Sequence, residues 1–248
     1  MLLMSMYERV DANKKIIDSI RPFEGEYFPQ IREYYRIGLT WSSNALEGNS
    51  LTEVETKVLL EDGLTIGGKP LRDTFEAIGH SHAYDYMFGL LRERKIEIND
   101  IKALHHLFYI SIDKPTAGVW RKINIVVTGT DYEFPKHSTL NKQMSGLEKW
   151  IKTERDTMHP VRFAAMLHLK FVTIHPFIDG NGRVARLLMN TALIQDGYML
   201  AIIPPILRVD YIKTLRDYQL RGNAEPFCNL VAERVYESEK EIIRLLHL

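Results

Sequence analysis

The sequence predicts an all-α fold with one β-hairpin, built as a single domain over residues 1–248. Apolar residues recur at helical spacing through most of the chain, and capping residues stand at the expected ends. Residues 123–135 are the one stretch that is β-branched, with Gly129 at a turn position. A length of 248 residues suits one large domain with a sizeable core.

Composition argues against several classes of protein. Lys and Arg together number 32, as do Asp and Glu, so we expect no nucleic acid and no membrane as partner. Met1 to Met6 is apolar but too short for a secretory or spanning segment, because Glu8 and Arg9 follow at once. Cys228 is the only cysteine, which excludes an internal disulfide and suits a reducing, cytoplasmic location.

Helical periodicity predicts five helices before the β-branched stretch and five after it. Pro22 separates the first two helices, and Gly48-Asn49 predicts the end of a helical segment that contains Trp41. Pro160 takes an early helical position, where proline is well tolerated. The predicted helices cover 7–20, 27–39, 52–60, 74–92, 100–110, 140–153, 161–174, 184–193, 208–220 and 226–246.

One stretch between two predicted helices combines several chemical groups. Two glycines let the backbone approach a ligand, and the N-terminus of the following helix is a ready anion site. Two arginines three residues apart share a face of that helix and suit more than one phosphate. An aspartate there is a hard ligand for Mg²⁺, and a histidine is a base near neutral pH. The residues are His175, Asp179, Gly180, Asn181, Gly182, Arg183 and Arg186.

Each of these features, taken singly, has an ordinary structural explanation. Gly-Asn-Gly is a common turn, and an arginine in a first helical turn is usually a solvated charge. A lone histidine at a helix end is more often a cap or a packed side chain. Together and in this order, they favour a site for a nucleotide, a metal ion and a base.

The stretch resembles the signature of the Fic family, H-P-F-x-[D/E]-G-N-G-R-x-x-R, and matches it at every fixed position. Members of that family typically transfer AMP from ATP to a protein hydroxyl. The resemblance therefore implies ATP as co-substrate, Mg²⁺ as cofactor and a protein target as partner. It implies His175 as base and Asp179 as magnesium ligand. It places phosphate contacts on Gly180, Asn181, Gly182, Arg183 and Arg186.

The likeness extends over roughly residues 40–235, with one departure near the expected adenine pocket. Family members often carry Asn-x-Gly-Asp at the last helix joint. This chain has Gln219 or Leu220 at the position of the family asparagine, and Asn223 follows Gly222. Tyr211 is expected to line the nucleotide pocket, while the departure leaves the identity of the nucleotide open.

A second resemblance concerns Glu47, a carboxylate near a predicted helix C-terminus, where the helix dipole disfavours it. Such an acid is either a surface charge or has a partner elsewhere. Ser43, Glu47 and Gly48 resemble the Fic inhibitory motif [S/T]-x-x-x-E-[G/N], in the position of the N-terminal inhibitory class. We therefore predict an inhibitory helix at about 40–50, with Glu47 in a bidentate pair with Arg186.

The β-branched stretch admits two interpretations, a loop packed on helices or an exposed edge that pairs with an extended peptide. In Fic proteins the segment here is the flap that aligns the target chain, preceded by a Gly-x-x-Arg like Gly118 to Arg121. That resemblance favours a target-binding flap made of Val126, Val127, Thr128 and Gly129.

The sequence thus predicts a protein adenylyltransferase held off by its own Glu47, with a C-terminal helical extension. Alternatives remain within the same site: another nucleotide donor such as UTP, or the reverse reaction, with Glu47 orienting a water. A non-catalytic nucleotide-sensing module would need a broken motif, and the motif is intact. Apolar helix faces leave a homodimer open.

Overall fold

The computed structural model describes residues 4–21, 27–127 and 130–248. These residues form ten α-helices and three short 3₁₀ helices, so the predicted helical class is confirmed. No helix in this part of the chain is long and apolar enough to cross a membrane. The α-helices are α1 (Met6–Asp18), α2 (Tyr27–Ala45), α3 (Glu53–Asp62), α4 (Leu71–Gly89), α5 (Ile98–Tyr109), α6 (Leu140–Glu154), α7 (Pro160–Ile174), α8 (Asn181–Gln195), α9 (Arg208–Arg221) and α10 (Glu225–Leu245). The 3₁₀ helices are Leu90–Arg92, His137–Thr139 and Pro205–Leu207.

Local sequence signals set several of the helix ends. Helix α3 begins with a capping box, in which Thr52 Oγ1 accepts from the Glu55 backbone N–H and the Glu55 carboxylate accepts from the Thr52 N–H. Helix α2 runs past its predicted end to Ala45, so Ser43 lies in its last turn and Glu47 just beyond it.

Helices α7 and α8 form the centre of the molecule. Helix α7 packs against α8, α6 and α10, and α4 packs against α2, α5 and α8. Phe163, Leu167 and Phe171 on α7 are fully buried, as are Leu187 and Leu188 on α8. Burying each such side chain contributes about 1.5–3 kcal/mol. The loop that joins α7 to α8 is therefore fixed at both ends by the core.

The predicted β-hairpin is wrong for the residues that the structure describes. Residues 123–127 and 130–135 contain no strand. Val126 is 94 % exposed, and Val127 belongs to the same unpaired segment. Thr128 and Gly129 lie outside the described residues. A β-branched sequence favours extended backbone, but a lone two-stranded hairpin is marginally stable and needs a partner surface.

Candidate active site

The loop between α7 and α8 is held by its own side chains. His175 ends α7 in the left-handed region, with φ of 53°, which is uncommon for a residue other than glycine. Gly180 precedes α8 with φ of 78°, and a β-carbon there would lie 3.0 Å from the Phe108 ring. The Asn181 side chain donates to the Phe177 carbonyl and accepts from the Phe177 N–H, each at 2.9 Å. Asn181 thus closes the loop, and the backbone amides of α8 remain to meet an anion.

The hydrogen bond of His175 Nδ1 determines where this histidine accepts a proton. Nδ1 lies 3.2 Å from the Val172 carbonyl, which can only accept, so Nδ1 carries the hydrogen and Nε2 has a free lone pair. Burial lowers the pKa of His175 to about 4, and the Arg121 charge adds to this effect against the opposing Val172 contact. The imidazole is therefore neutral at pH 7, as a general base must be.

Arg121 connects this histidine to the β-branched segment. Its buried guanidinium donates from Nε to the His175 carbonyl at 2.9 Å. The two terminal nitrogens donate to the carbonyls of Ile123, at 2.8 Å, and Pro135, at 2.6 Å. The sequence singled out Arg121 only as part of a short motif. No local signal shows that it joins both ends of the segment to the candidate base.

Asp179 is ionised and surrounded by donors. Its Oδ1 accepts from the Gly180 N–H at 2.6 Å and lies 3.3 Å from Arg183 Nη2. Its Oδ2 accepts from Arg72 Nη2 at 2.5 Å and from the Tyr109 hydroxyl at 3.3 Å. Burial raises the pKa of Asp179, but Arg183, the Gly180 N–H and Arg72 outweigh it, so the pKa is lowered overall.

The Asp179 carboxylate suits a magnesium ion that arrives with a nucleotide. Among the residues that the structure describes, no group of three or more His, Cys, Asp or Glu side chains could hold a metal alone. Mg²⁺ in nucleotide sites typically takes one or two carboxylates, with waters and phosphate oxygens as further ligands. One ionised carboxylate, 41 % exposed beside the N-terminus of α8, fits that pattern.

His105 contacts the loop that carries Asp179 through both a hydrogen bond and ring stacking. Its Nε2 lies 3.1 Å from the Asp179 carbonyl, and its Nδ1 accepts from the Gly118 N–H at 2.8 Å. The ring stacks on Phe177 at a centroid distance of 3.6 Å. Burial lowers the pKa of His105 to about 4, so it is neutral and donates from Nε2. Nothing in the sequence around this histidine indicates the role.

Arg186 is 2 % exposed and confirms the predicted contact with Glu47. Its Nη2 donates to Glu47 Oε1 at 2.7 Å and to the Ser43 carbonyl at 2.8 Å, and its Nε donates to Ser43 Oγ at 2.9 Å. One nitrogen therefore meets one carboxylate oxygen, where the sequence argument predicted a bidentate pair. Ser43 accepts two further hydrogen bonds from Arg186 because it lies one helical turn before Glu47.

Glu47 approaches Arg186 through a gap that a glycine provides. A β-carbon on Gly182 would lie 2.2 Å from Glu47 Oε1, so any larger residue would displace the carboxylate. Burial raises the pKa of Glu47, but the charges of Arg186 and Arg183 outweigh it, and the pKa is lowered. Gly48 completes the turn after α2 with φ of 96°. In this structure Glu47 is an ion-paired group and not a free surface acid.

Tyr211 lies beneath Arg186 and is only 2 % exposed. Its hydroxyl accepts from Arg186 Nη1 at 3.0 Å and lies 3.0 Å from His168 Nε2. Burial holds the pKa of His168 well below its usual value, so the imidazole is neutral and shares a hydrogen bond with the Tyr211 hydroxyl. Tyr211 thus positions the arginine, whereas the sequence placed it on the wall of the nucleotide pocket.

Arg183 is held by Glu76, a residue that the sequence argument missed. Arg183 Nη1 lies 2.9 Å from Glu76 Oε1, and both side chains are buried. The other oxygen, Glu76 Oε2, accepts from Asn49 at 3.0 Å, just after the Glu47 turn. The arginine also lies over the Phe108 ring, 4.5 Å from its centroid. Glu76 sits in an ordinary amphipathic helix, so only the packing of α4 against α8 reveals its role.

Comparisons with known proteins agree with this geometry. Residues 95–193 match the model of the Fic/DOC family. The protein adenylyltransferase Fic of Drosophila melanogaster is 33 % identical over 228 residues, which cover 91 % of this chain and 46 % of the relative. The chain thus spans about half the length of the curated relatives that it matches.

Solved structures show the same fold over nearly the whole chain. Fic-1 from C. elegans superposes with a TM-score of 0.86 at 27 % identity, covering 98 % of this chain and 73 % of that one. A Fic domain containing signaling protein from Bacteroides thetaiotaomicron gives 0.83 at 27 % identity, covering 95 % and 94 %. The chain contains a Fic domain and belongs to the Fic/DOC family.

Proposed function

We propose that the protein transfers AMP from ATP to a Ser, Thr or Tyr hydroxyl of a target protein. The observation that carries this proposal is the neutral His175, whose free Nε2 stands in the same loop as ionised Asp179 and the N-terminus of α8. The shared family and the adenylyltransferase names of the curated relatives support the same reaction.

Each group has a defined task in this reaction. His175 Nε2 takes the proton of the target hydroxyl, whose oxygen attacks the α-phosphorus of ATP as pyrophosphate leaves. The amides at the start of α8 and the Arg183 guanidinium bind the phosphates, where charge develops. Asp179 would hold Mg²⁺, which supplies charge neutralisation on the phosphates when bound. Loss of the general base alone typically costs about 10²–10⁴-fold in rate.

The Glu47 contact supports an autoinhibited ground state. Glu47 Oε1 occupies a donor of Arg186 that would otherwise bind a phosphate, and its charge repels that phosphate. We therefore assign residues of about 40–50 as an inhibitory segment of a single Fic domain. Helices α9 and α10 form its C-terminal extension. The homodimer stays a prediction, and the one cysteine, buried and free, is compatible with a cytoplasmic location.

The segment from 123 to 135 is a candidate surface for the backbone of the target. Val126 is almost fully exposed, and Arg121 holds both ends of the segment beside His175. Proline at Val126 should weaken labelling of a target and leave nucleotide binding intact, because proline removes a backbone donor. Loss of nucleotide binding as well would show that the segment is only structural.

The test of the proposed reaction is labelling of a host lysate with ATP that carries the label on the α-phosphate. We expect labelled proteins with the Glu47→Gly variant and none with Glu47→Gly/His175→Ala at an unchanged melting temperature. Glu47→Gly/His82→Ala is the matched control, since His82 is an exposed histidine on α4. With the label on the γ-phosphate, labelling should not exceed that of the lysate alone.

Two results would contradict the proposal. Transfer retained in a folded Glu47→Gly/His175→Ala variant would show that His175 is not the general base. Transfer of γ-label above the level in lysate alone would indicate a kinase reaction of the added protein. α-Labelled UTP in the same experiment identifies the donor.

A further inference from the structure

Arg72 occupies an unusual position in helix α4. It lies in the first turn, where the helix dipole favours anions and disfavours cations. Its side chain is 54 % exposed, yet it reaches across to two carboxylates. Arg72 Nε donates to Glu76 Oε1 at 3.0 Å, and Nη2 donates to Asp179 Oδ2 at 2.5 Å. The contacts with these two acids offset the unfavourable interaction between the guanidinium and the helix dipole.

The oxygen that Arg72 contacts is the one that a metal ion would need. Asp179 Oδ1 already accepts from the Gly180 N–H and faces Arg183. Oδ2 has only one other contact among the described residues, the long one to the Tyr109 hydroxyl. A guanidinium and a divalent cation cannot both contact this oxygen without strong repulsion between their charges. Metal binding at Asp179 therefore requires Arg72 to move.

The structure also provides a place for the displaced guanidinium. Glu76 lies one helical turn after Arg72, at the favourable i, i+4 spacing, and already binds its Nε. Because the arginine side chain is more than half exposed, it can rotate away without disturbing the core.

We propose that Arg72 is a counter-cation that occupies the metal position beside Asp179 in the nucleotide-free protein. When magnesium nucleotide binds, Arg72 leaves Asp179 and keeps only its contact with Glu76. Arg72 thereby sets the metal affinity of the site. The inference rests on the proposed function for the identity of the nucleotide. It concerns a contact separate from Glu47, which pairs with Arg186.

The proposal predicts effects of opposite sign from one substitution. In Arg72→Gln, Asp179 loses its counter-charge, so metal-free ATP should bind more weakly. The same substitution frees Oδ2, so the magnesium complex should bind more tightly. We expect changes of about three- to fivefold in each direction, the upper range for a partly exposed ion pair. A purely structural role would weaken binding in both conditions.

Titration calorimetry with a non-hydrolysable ATP analogue, in EDTA and in MgCl₂, measures both effects. The full chain carrying Glu47→Gly is the background, so that Arg186 is free in every sample. Arg32→Gln is the matched control, because Arg32 and Asp85 form an exposed pair of the same kind at 2.6 Å. The control should change neither affinity. Changes of one sign in both conditions, or no change, would overturn the proposal.

A second measurement needs no nucleotide. Mn²⁺ titration followed by electron paramagnetic resonance should show binding about three- to fivefold tighter in Arg72→Gln than in wild type. The gain should vanish in Arg72→Gln/Asp179→Asn. Equal Mn²⁺ affinity in wild type and Arg72→Gln would refute the role of Arg72 even if AMP transfer is confirmed. Tighter Mn²⁺ binding without AMP transfer would refute only the proposed function.

Discussion

Replacing Glu47 with glycine should raise AMP transfer and lower the stability of the fold in the same variant. In the resting protein, Glu47 Oε1 holds Arg186 Nη2 at 2.7 Å, so ATP meets an occupied donor and a repelling charge. A misplacement of about 1 Å at the reacting phosphate costs ~10²-fold in rate. Removal of the carboxylate should therefore increase the transfer rate by about 10- to 100-fold.

The structure also bounds the loss of stability. Removing one partner of a buried ion pair typically costs about 3–5 kcal/mol. Here Arg186 keeps its bonds to Ser43 and Tyr211, and the Glu47 side chain is 35 % exposed, so we expect about 1–2 kcal/mol. For a domain of this length, that loss lowers the melting temperature by about 2–8 °C. Because the pKa of Glu47 is lowered, the pair should persist through neutral pH and disappear only in acid.

Initial rates with α-labelled ATP at saturation, together with thermal unfolding by circular dichroism, measure both quantities. Glu47→Asp and Glu47→Gln should lie between wild type and Glu47→Gly, because the aspartate side chain is one methylene shorter and reaches Arg186 poorly, and glutamine carries no charge. Glu61→Gln is the control, an exposed glutamate on α3 that pairs with Lys57 at 3.8 Å. Equal rates in wild type and Glu47→Gly would refute the inhibitory role.

Three further predictions follow from the buried groups. The transfer rate of Glu47→Gly should stay level from about pH 8 to about 5 and fall near the His175 pKa of about 4. A midpoint near the ordinary 6.5 would contradict the argument from burial. Tyr211→Phe removes the hydrogen-bond partner of Arg186 Nη1 and of His168 Nε2 and should destabilise the protein by about 1–3 kcal/mol, measured by urea unfolding. Tyr34→Phe, which removes an exposed hydroxyl, should change the free energy of unfolding little. Equal losses of stability in the two variants would refute the role of Tyr211. Stability should also fall as the pH drops from about 6.5 to 4, because burial lowers the pKa of four histidines, so the unfolded chain binds more protons. Burial raises the pKa of Glu239 to about 9, which acts in the opposite direction, but it is one group against four histidines. A free energy of unfolding in urea that stays constant across this pH range would refute the prediction.

The helical architecture could be predicted because its signals are local. Caps such as Thr52 with Glu55 lie within one turn of the helices that they start, and core positions recur at a fixed spacing. The prediction of a hairpin was wrong for the described residues because pairing of strands is not a local property. The β-branched residues near Val126 record a preference for extended backbone, whereas a strand exists only if a second strand pairs with it.

The site divides along the same line. His175, Asp179 and Gly180 lie in one short loop, so their proximity follows from the sequence itself. The contact of Glu47 with Arg186 was predictable because the carboxylate stands at an unfavourable helix end and within a pattern that resembles the inhibitory motif. Arg72 lies 107 positions from Asp179, and only the packing of α4 near α8 brings them together.

All three contacts of the Arg121 guanidinium are made to main-chain carbonyls, those of His175, Ile123 and Pro135. None of them depends on which side chains the segment between those carbonyls carries. The segment can therefore be exchanged for another of similar span that keeps Phe134, whose ring packs edge-on against the His175 ring at a centroid distance of 4.7 Å. Under the proposed function, the choice of target would then be uncoupled from the chemistry, and grafting another segment would redirect the enzyme.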